Sequence, residues 1–90
     1  MVADEGAARA LIEGGKSLLP AGIVAVEGDF ARGQTVRIYA IDGREIARGI
    51  TQYASADLCR ICGLRSAQIA ETLGFDYGPE VVHRDDMVLL

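Results

Sequence analysis

The chain has 90 residues, of which half are hydrophobic and 24% charged, and its formal net charge is −4. This length predicts a single domain, and the apolar content excludes a disordered chain. No apolar stretch reaches the ~20 residues of a membrane-spanning helix. The acidic start Met1–Glu5 is also unlike a secretory signal. We therefore expect a small cytoplasmic protein, or a fragment of one, with no membrane attachment.

The first predicted helix begins after Asp4, whose carboxylate can cap it, and ends at Gly14 and Gly15 in a left-handed C-cap. Between these signals, apolar residues recur at helical spacing on one face. An extended connection then leads to a strand predicted over Ile23–Glu27. Because that run is apolar and β-branched, we expect it to be buried on both faces.

The middle of the chain predicts a hairpin. Apolar and polar residues alternate over Thr35–Ala40, as in a strand with one buried face, and Asp42-Gly43 is typical of a two-residue turn. The returning strand is predicted from Glu45 to about Tyr53. Arg48 falls where this strand should face the core, so we expect a bulge at Gly49 that turns the arginine outward.

The last third predicts two short helices, capped by Ser55 and Ser66. The apolar pieces Val81–Val82 and Met87–Leu90 follow as two short strands or as one kinked strand. A helix, three strands, two helices and a final strand predict an α+β domain. Its expected architecture is a small curved sheet or open barrel with flanking short helices.

Several short motifs suggest chemistry that their context does not support. Gly15-Lys16-Ser17 looks like the end of a nucleotide-binding P-loop, but Ala10 stands where that loop needs glycine, and the motif follows a helix. Two interpretations remain for this turn: a helix C-cap with a surface lysine, or a small anion-binding corner of backbone amides and Lys16. Cys59 and Cys62 lie within a predicted helix, which favours apolar packing over redox chemistry, and a zinc site would need more ligands than the chain offers.

Charge is distributed unevenly along the chain. Residues 30–65 hold six arginines against three acidic residues, while the segments before and after are acidic. The basic middle could form a solvated surface or a local binding face. Because the chain as a whole is acidic, nucleic acid would be repelled at long range.

Read in order, many stretches match one known module: Gly14–Ile23, Val26–Phe30, Arg32-Gly33, Gly43–Gly49, Tyr53–Ser55, Ile61–Ser66, Leu73-Gly74 and Val81–Leu89. The chain resembles the C-terminal PUA domain of bacterial glutamate 5-kinases over nearly all of residues 1–90. The resemblance implies a single PUA domain, a β-rich pseudobarrel with helices beside it. It also implies a homo-oligomeric parent enzyme that phosphorylates the γ-carboxylate of L-glutamate with ATP and Mg²⁺ in proline synthesis.

The resemblance has two functional implications for this chain. As an accessory module, it would act on the assembly or regulation of its own amino-acid kinase domain and would hold no catalytic residue, cofactor or metal. Alternatively, PUA domains elsewhere bind RNA through the first helix, the glycine turn and the last strand. The matching candidates for RNA or anion binding are Gly14, Gly15, Lys16, Ser17 and Arg84.

Overall fold

The computed structural model describes residues 1–90 without a gap. The chain forms five strands and three α-helices. Their bounds are β1 Val2–Ala3, α1 Glu5–Gly14, β2 Ile23–Ala25, β3 Thr35–Tyr39, β4 Glu45–Thr51, α2 Ser55–Ile61, α3 Ile69–Leu73 and β5 Val82–Leu89. Short 3₁₀ turns at Pro20–Gly22 and Ser66–Gln68 precede β2 and α3.

All five strands form one mixed sheet in the order β2-β1-β3-β4-β5. Only β1 and β3 run parallel, while the other neighbouring strands pair antiparallel. The α+β class predicted from the sequence is therefore confirmed. No helix is both long and apolar enough to cross a membrane.

Local signals set the bounds of α1. Asp4 accepts a hydrogen bond from the N–H of Ala7 at 2.7 Å, and Gly15 follows the helix in the left-handed conformation with φ +58°. Both caps were predicted, because a side-chain acceptor at the start and a glycine at the end satisfy backbone groups that the helix leaves free. Two residues of α1, Ala8 and Leu11, are buried in the core.

The hairpin between β3 and β4 has a longer turn than Asp42-Gly43 predicted. Ala40 N–H donates to the carbonyl of Arg44 at 2.9 Å, so three residues, Ile41 to Gly43, form the loop. Gly43 N–H donates back to the Ala40 carbonyl, and Gly43 adopts φ +89°. A turn of this type with a glycine in the left-handed region is the common three-residue hairpin.

Arg48 points outward as expected, but the bulge that turns it lies earlier than Gly49. Ile38 pairs with Ala47 while Tyr39 pairs with Glu45, which leaves Ile46 as the extra residue. Ile46 and Ala47 are consequently both buried, and the alternation resumes one residue later. The prediction that β2 is buried on both faces is wrong for Val24, which is 54% exposed because β2 is an edge strand.

The two later helices exist, but their predicted serine caps have other roles. Ser55 is the first residue of α2, and its hydroxyl donates to the carbonyl of Phe30 and accepts from the Phe30 N–H. Ser66 donates instead to the Pro79 carbonyl at 3.0 Å. The two apolar pieces near the C-terminus belong to one strand, β5, whose pairing with β4 is interrupted.

Candidate binding cleft at the glycine turn

The glycine turn after α1 keeps its own amides occupied. The N–H groups of Gly15 and Lys16 both donate to the carbonyl of Ala10, the second at 3.2 Å. These two donors complete the helix end, and they do not point to a ligand. Any capacity of this corner to hold an anion therefore depends on the Lys16 ammonium group.

The glycine turn and the last strand, β5, which hold the candidate residues, lie side by side. The Arg84 N–H donates to Ser17 Oγ at 2.9 Å, and next to it Leu18 N–H donates to the Val82 carbonyl at 2.9 Å. Ser17 therefore links the end of α1 to β5 across 67 residues of sequence. The Arg84 guanidinium is exposed and lies 3.9 Å from the Asp85 carboxylate.

Lys16 and Ser17 line an open cleft of about 510 Å³ between α1 and the Pro20–Gly22 turn, whereas Gly14, Gly15 and Arg84 do not. Two carboxylates, those of Asp4 and Glu80, share the walls with Lys16. Small apolar side chains and Leu19 form the remainder. Because the acidic groups outnumber the single ammonium, the cleft attracts a phosphate chain only weakly.

Neither carboxylate of the cleft was identified from the sequence. Asp4 was recognised only as a helix cap, a role that it does fill. Glu80 lies in the irregular segment before β5, which no periodic pattern describes. Its position near Lys16 depends on how that segment returns to Leu18, a contact that is formed by tertiary structure alone.

A second polar cluster surrounds Tyr53, which is fully buried. Its hydroxyl donates to the Gly78 carbonyl at 2.6 Å, accepts from the Tyr77 N–H at 2.9 Å and lies 3.2 Å from Asp76 Oδ1. Burial raises the pKa of this phenol. The Arg32 guanidinium lies 3.7 Å from the centre of the Tyr77 ring, a cation–π contact. The cluster fixes the loop after α3.

The cleft at the glycine turn includes none of the other groups with shifted pKa values, which are the Met1 amino group, Glu45 and Arg48. Burial lowers the pKa of the Met1 amino group, and a hydrogen bond from Arg48 lowers the pKa of the half-buried Glu45. No three His, Cys, Asp or Glu side chains are grouped so that they could hold a metal ion. Cys59 and Cys62 are free thiols near the end of α2.

Solved structures identify the class of this fold. A PUA domain from Aeropyrum pernix K1, solved as a tartrate complex, superposes with a TM-score of 0.64 and 28% identity over 91% of this chain and 39% of its own. A conserved PUA domain protein from Thermoplasma acidophilum gives a TM-score of 0.59 with 24% identity, covering 64% of this chain and 38% of its own. The five-stranded sheet and its helices are those of a PUA domain.

The chain belongs to the PUA domain family, since the model of that family matches residues 1–73. It is 58% identical to the glutamate 5-kinase of Deinococcus radiodurans over all 90 residues, and 55% identical over 86 residues to that of Sodalis glossinidius. The matched region is the C-terminal part of these enzymes. The chain spans about a quarter of their length, 25% and 23% respectively. The family and fold that the sequence predicted are thereby confirmed.

Proposed function

We propose that this chain is the C-terminal accessory module of a glutamate 5-kinase and acts by contact with the amino-acid kinase domain of that enzyme. The supporting observation is the 58% identity with such an enzyme over the full chain. In this proposal the kinase domain binds ATP, Mg²⁺ and glutamate, and it transfers phosphate to the γ-carboxylate. The module tunes a cytoplasmic homo-oligomer and contributes no catalytic residue.

The outer face of the sheet offers a suitable contact surface. Arg37, Arg48 and Val88 pair side by side across β3, β4 and β5, so their side chains share one face. Val88 is 66% exposed, and Ile50 on the same strand as Arg48 is 40% exposed. Interfaces between domains of one chain are commonly of this mixed apolar and basic kind.

The proposal predicts a separable regulatory effect. The C-terminal quarter of the Deinococcus radiodurans enzyme is removed, and in a second protein it is replaced by this chain. We expect the truncated enzyme to phosphorylate glutamate but to show altered inhibition by proline or altered oligomer mass, and we expect the chimera to recover the original behaviour. Coupled kinase assays and light scattering measure both properties.

The matched control carries an unrelated domain of similar size in the same position. Recovery with this control as well would show that bulk alone is required, against the proposal. If truncation changes neither proline inhibition nor oligomer mass, the proposed regulatory role is wrong.

RNA binding is a second candidate, and the Ser17–Arg84 link favours it because that link places Lys16 and Arg84 on adjoining segments. If RNA binds here, Lys16→Ala should weaken it for every sequence. Because each cation that meets a phosphate of a single strand adds about 0.7 to the salt slope, the variant should lose about that much. NMR titration with single-stranded RNA at several salt concentrations measures both.

Arg44→Ala is the control, since it removes the same charge from the residue that follows the hairpin loop, and Arg44 does not line the cleft. Equal weakening by both variants would indicate general electrostatic attraction instead of a site. An absence of shift changes at low salt would exclude RNA binding.

A further inference from the structure

The strand β1 is unusually short for its place in the sheet. It has two residues, yet it lies between β2 and β3, where a longer strand could pair on both sides. β3 has five residues, of which only Tyr39 is paired with β1 in the register. The first part of β3 therefore has a strand neighbour on one side only.

Met1 already continues β1 into this region. The Tyr39 N–H donates to the carbonyl of Met1, and the Met1 amino group donates to the carbonyl of Arg37, both at 2.8 Å. One residue that bonds to positions 37 and 39 of its neighbour is the pattern of a parallel ladder. The Met1 amino nitrogen thus occupies the position of a strand amide, and its side chain is buried in the core.

Met1 borders an open cleft of about 960 Å³. We call the part of it that is lined by residues 27–30 and by Thr35, Val36 and Arg37 the β1 slot; the rest of the cleft extends past Tyr39 to Gly43. The Arg37 carbonyl faces this side, since it accepts from Met1. Backbone alternation therefore directs the Arg37 N–H and the backbone of Thr35 into the slot.

We propose that the β1 slot is filled by the segment that joins this module to the rest of a glutamate 5-kinase chain, running as an N-terminal continuation of β1. This inference rests on the proposed function. The relatives are about four times as long and the matched part is C-terminal, so in the relatives the remaining chain precedes the residue that aligns with Met1. A strand that reaches Met1 from upstream runs parallel to β3, which is the direction of the slot.

The surroundings of the Met1 amino group favour a chain that continues before Met1. Burial lowers its pKa, because the ammonium form loses water in this position. A peptide N–H in the same place would donate the same hydrogen bond to Arg37 without a charge to desolvate. At about 3.3 Å per residue, some three residues before Met1 would reach the level of Thr35.

The pleat also fixes the chemistry of this segment. Met1 lies opposite Ile38 and shares its buried face, so the residue directly before Met1 should face outward and the one before that should lie beside Val36. Val36 is 6% exposed and Phe30 is half-buried at the slot. The second residue before Met1 should therefore be apolar or β-branched.

The test extends the 90-residue chain. One protein carries Thr-Val-Thr directly before Met1, and a matched control carries Gly-Pro-Gly; each begins with an added methionine. The carbonyl of the inserted valine is placed to accept from the Arg37 N–H. We expect NMR-detected exchange of the Arg37 amide to be at least about tenfold slower with Thr-Val-Thr, and unchanged with Gly-Pro-Gly, relative to the chain without extension.

The chimeric enzyme provides the second measurement. Mass-spectrometric exchange of residues 34–38 should be slower in the chimera than in the isolated chain, and a Gly-Pro-Gly replacement directly before Met1 should abolish the difference. Equal exchange in the paired proteins of either experiment would overturn the β1 slot proposal. Failure of the proposed function would appear instead in proline inhibition and oligomer mass, which these exchange measurements do not report.

Discussion

Replacing Gly49 by alanine is expected to lower the free energy of unfolding by about 1–3 kcal/mol, the range for overpacked sites. A Cβ at this position would lie 2.5 Å from Val82 Cγ1 and 2.8 Å from the backbone carbonyl oxygen of Asp86. Val82 is fully buried, and Asp86 belongs to β5, so neither atom is the free end of a flexible side chain. Urea unfolding of both proteins measures the difference.

Gly6→Ala is the control for this prediction. Its Cβ would meet only Asp4 Oδ1 at 3.6 Å, an ordinary contact, and Gly6 lies in the exposed first turn of α1. Alanine should therefore stabilise the helix by up to about 1 kcal/mol. If both substitutions change stability in the same direction and by the same amount, close approach of β5 to Gly49 is not what requires glycine there.

The parts of the fold that could be predicted are those with local causes. Asp4 and Gly15 cap α1 through groups within a few residues, and β3 shows its buried face by alternation alone. The caps satisfy free backbone groups of α1, and the alternation defines the buried face of β3. In both cases the cause lies within the segment itself. Sequence reasoning located these elements to within a residue or two.

The parts that sequence reasoning missed depend on distant partners. The bulge at Ile46 follows from the pairing of β4 with β3, and Ser55 binds Phe30 because two loops meet there. Gly49 of β4 pairs with Met87 of β5, and Thr51 pairs with Val82. Four residues of β5 therefore lie between paired positions that only one residue separates in β4. Nothing in the residues of β4 alone specifies which of these irregularities occurs.

The residues of the candidate site were grouped by the resemblance, and the structure shows where each of them lies. The resemblance brought the glycine turn and Arg84 into one candidate set, and the Ser17–Arg84 hydrogen bond shows that they adjoin. Their RNA-binding role stays a prediction. Asp4 and Glu80 line the same cleft as Lys16, and this was missed because it depends on tertiary contacts: Asp4 N–H donates to the Gly22 carbonyl, and Val81 N–H, next to Glu80, donates to the Leu18 carbonyl.

Replacing Tyr53 by phenylalanine is expected to cost about 1–3 kcal/mol of stability, because it deprives partly buried groups of their hydrogen-bond partner. The Tyr77 N–H and the Gly78 carbonyl both bond to the missing hydroxyl. The ring itself, 5.5 Å from that of Tyr77, would keep its packing. Urea unfolding should show the loss, and amide exchange should be faster at Tyr77.

Tyr77→Phe is the matched control. Tyr77 is an exposed residue, and the substitution keeps the backbone N–H that donates to the Tyr53 hydroxyl. Its stability should stay within about 0.5 kcal/mol of the parent.

The pH dependence of the free energy of unfolding tests the role of the Tyr53 hydroxyl further. Burial raises the pKa of Tyr53 above 10.0, so the unfolded chain loses this proton first. The stabilisation is therefore complete below pH 10 and declines as the pH rises through the raised pKa of Tyr53, so the cost of Tyr53→Phe should shrink there.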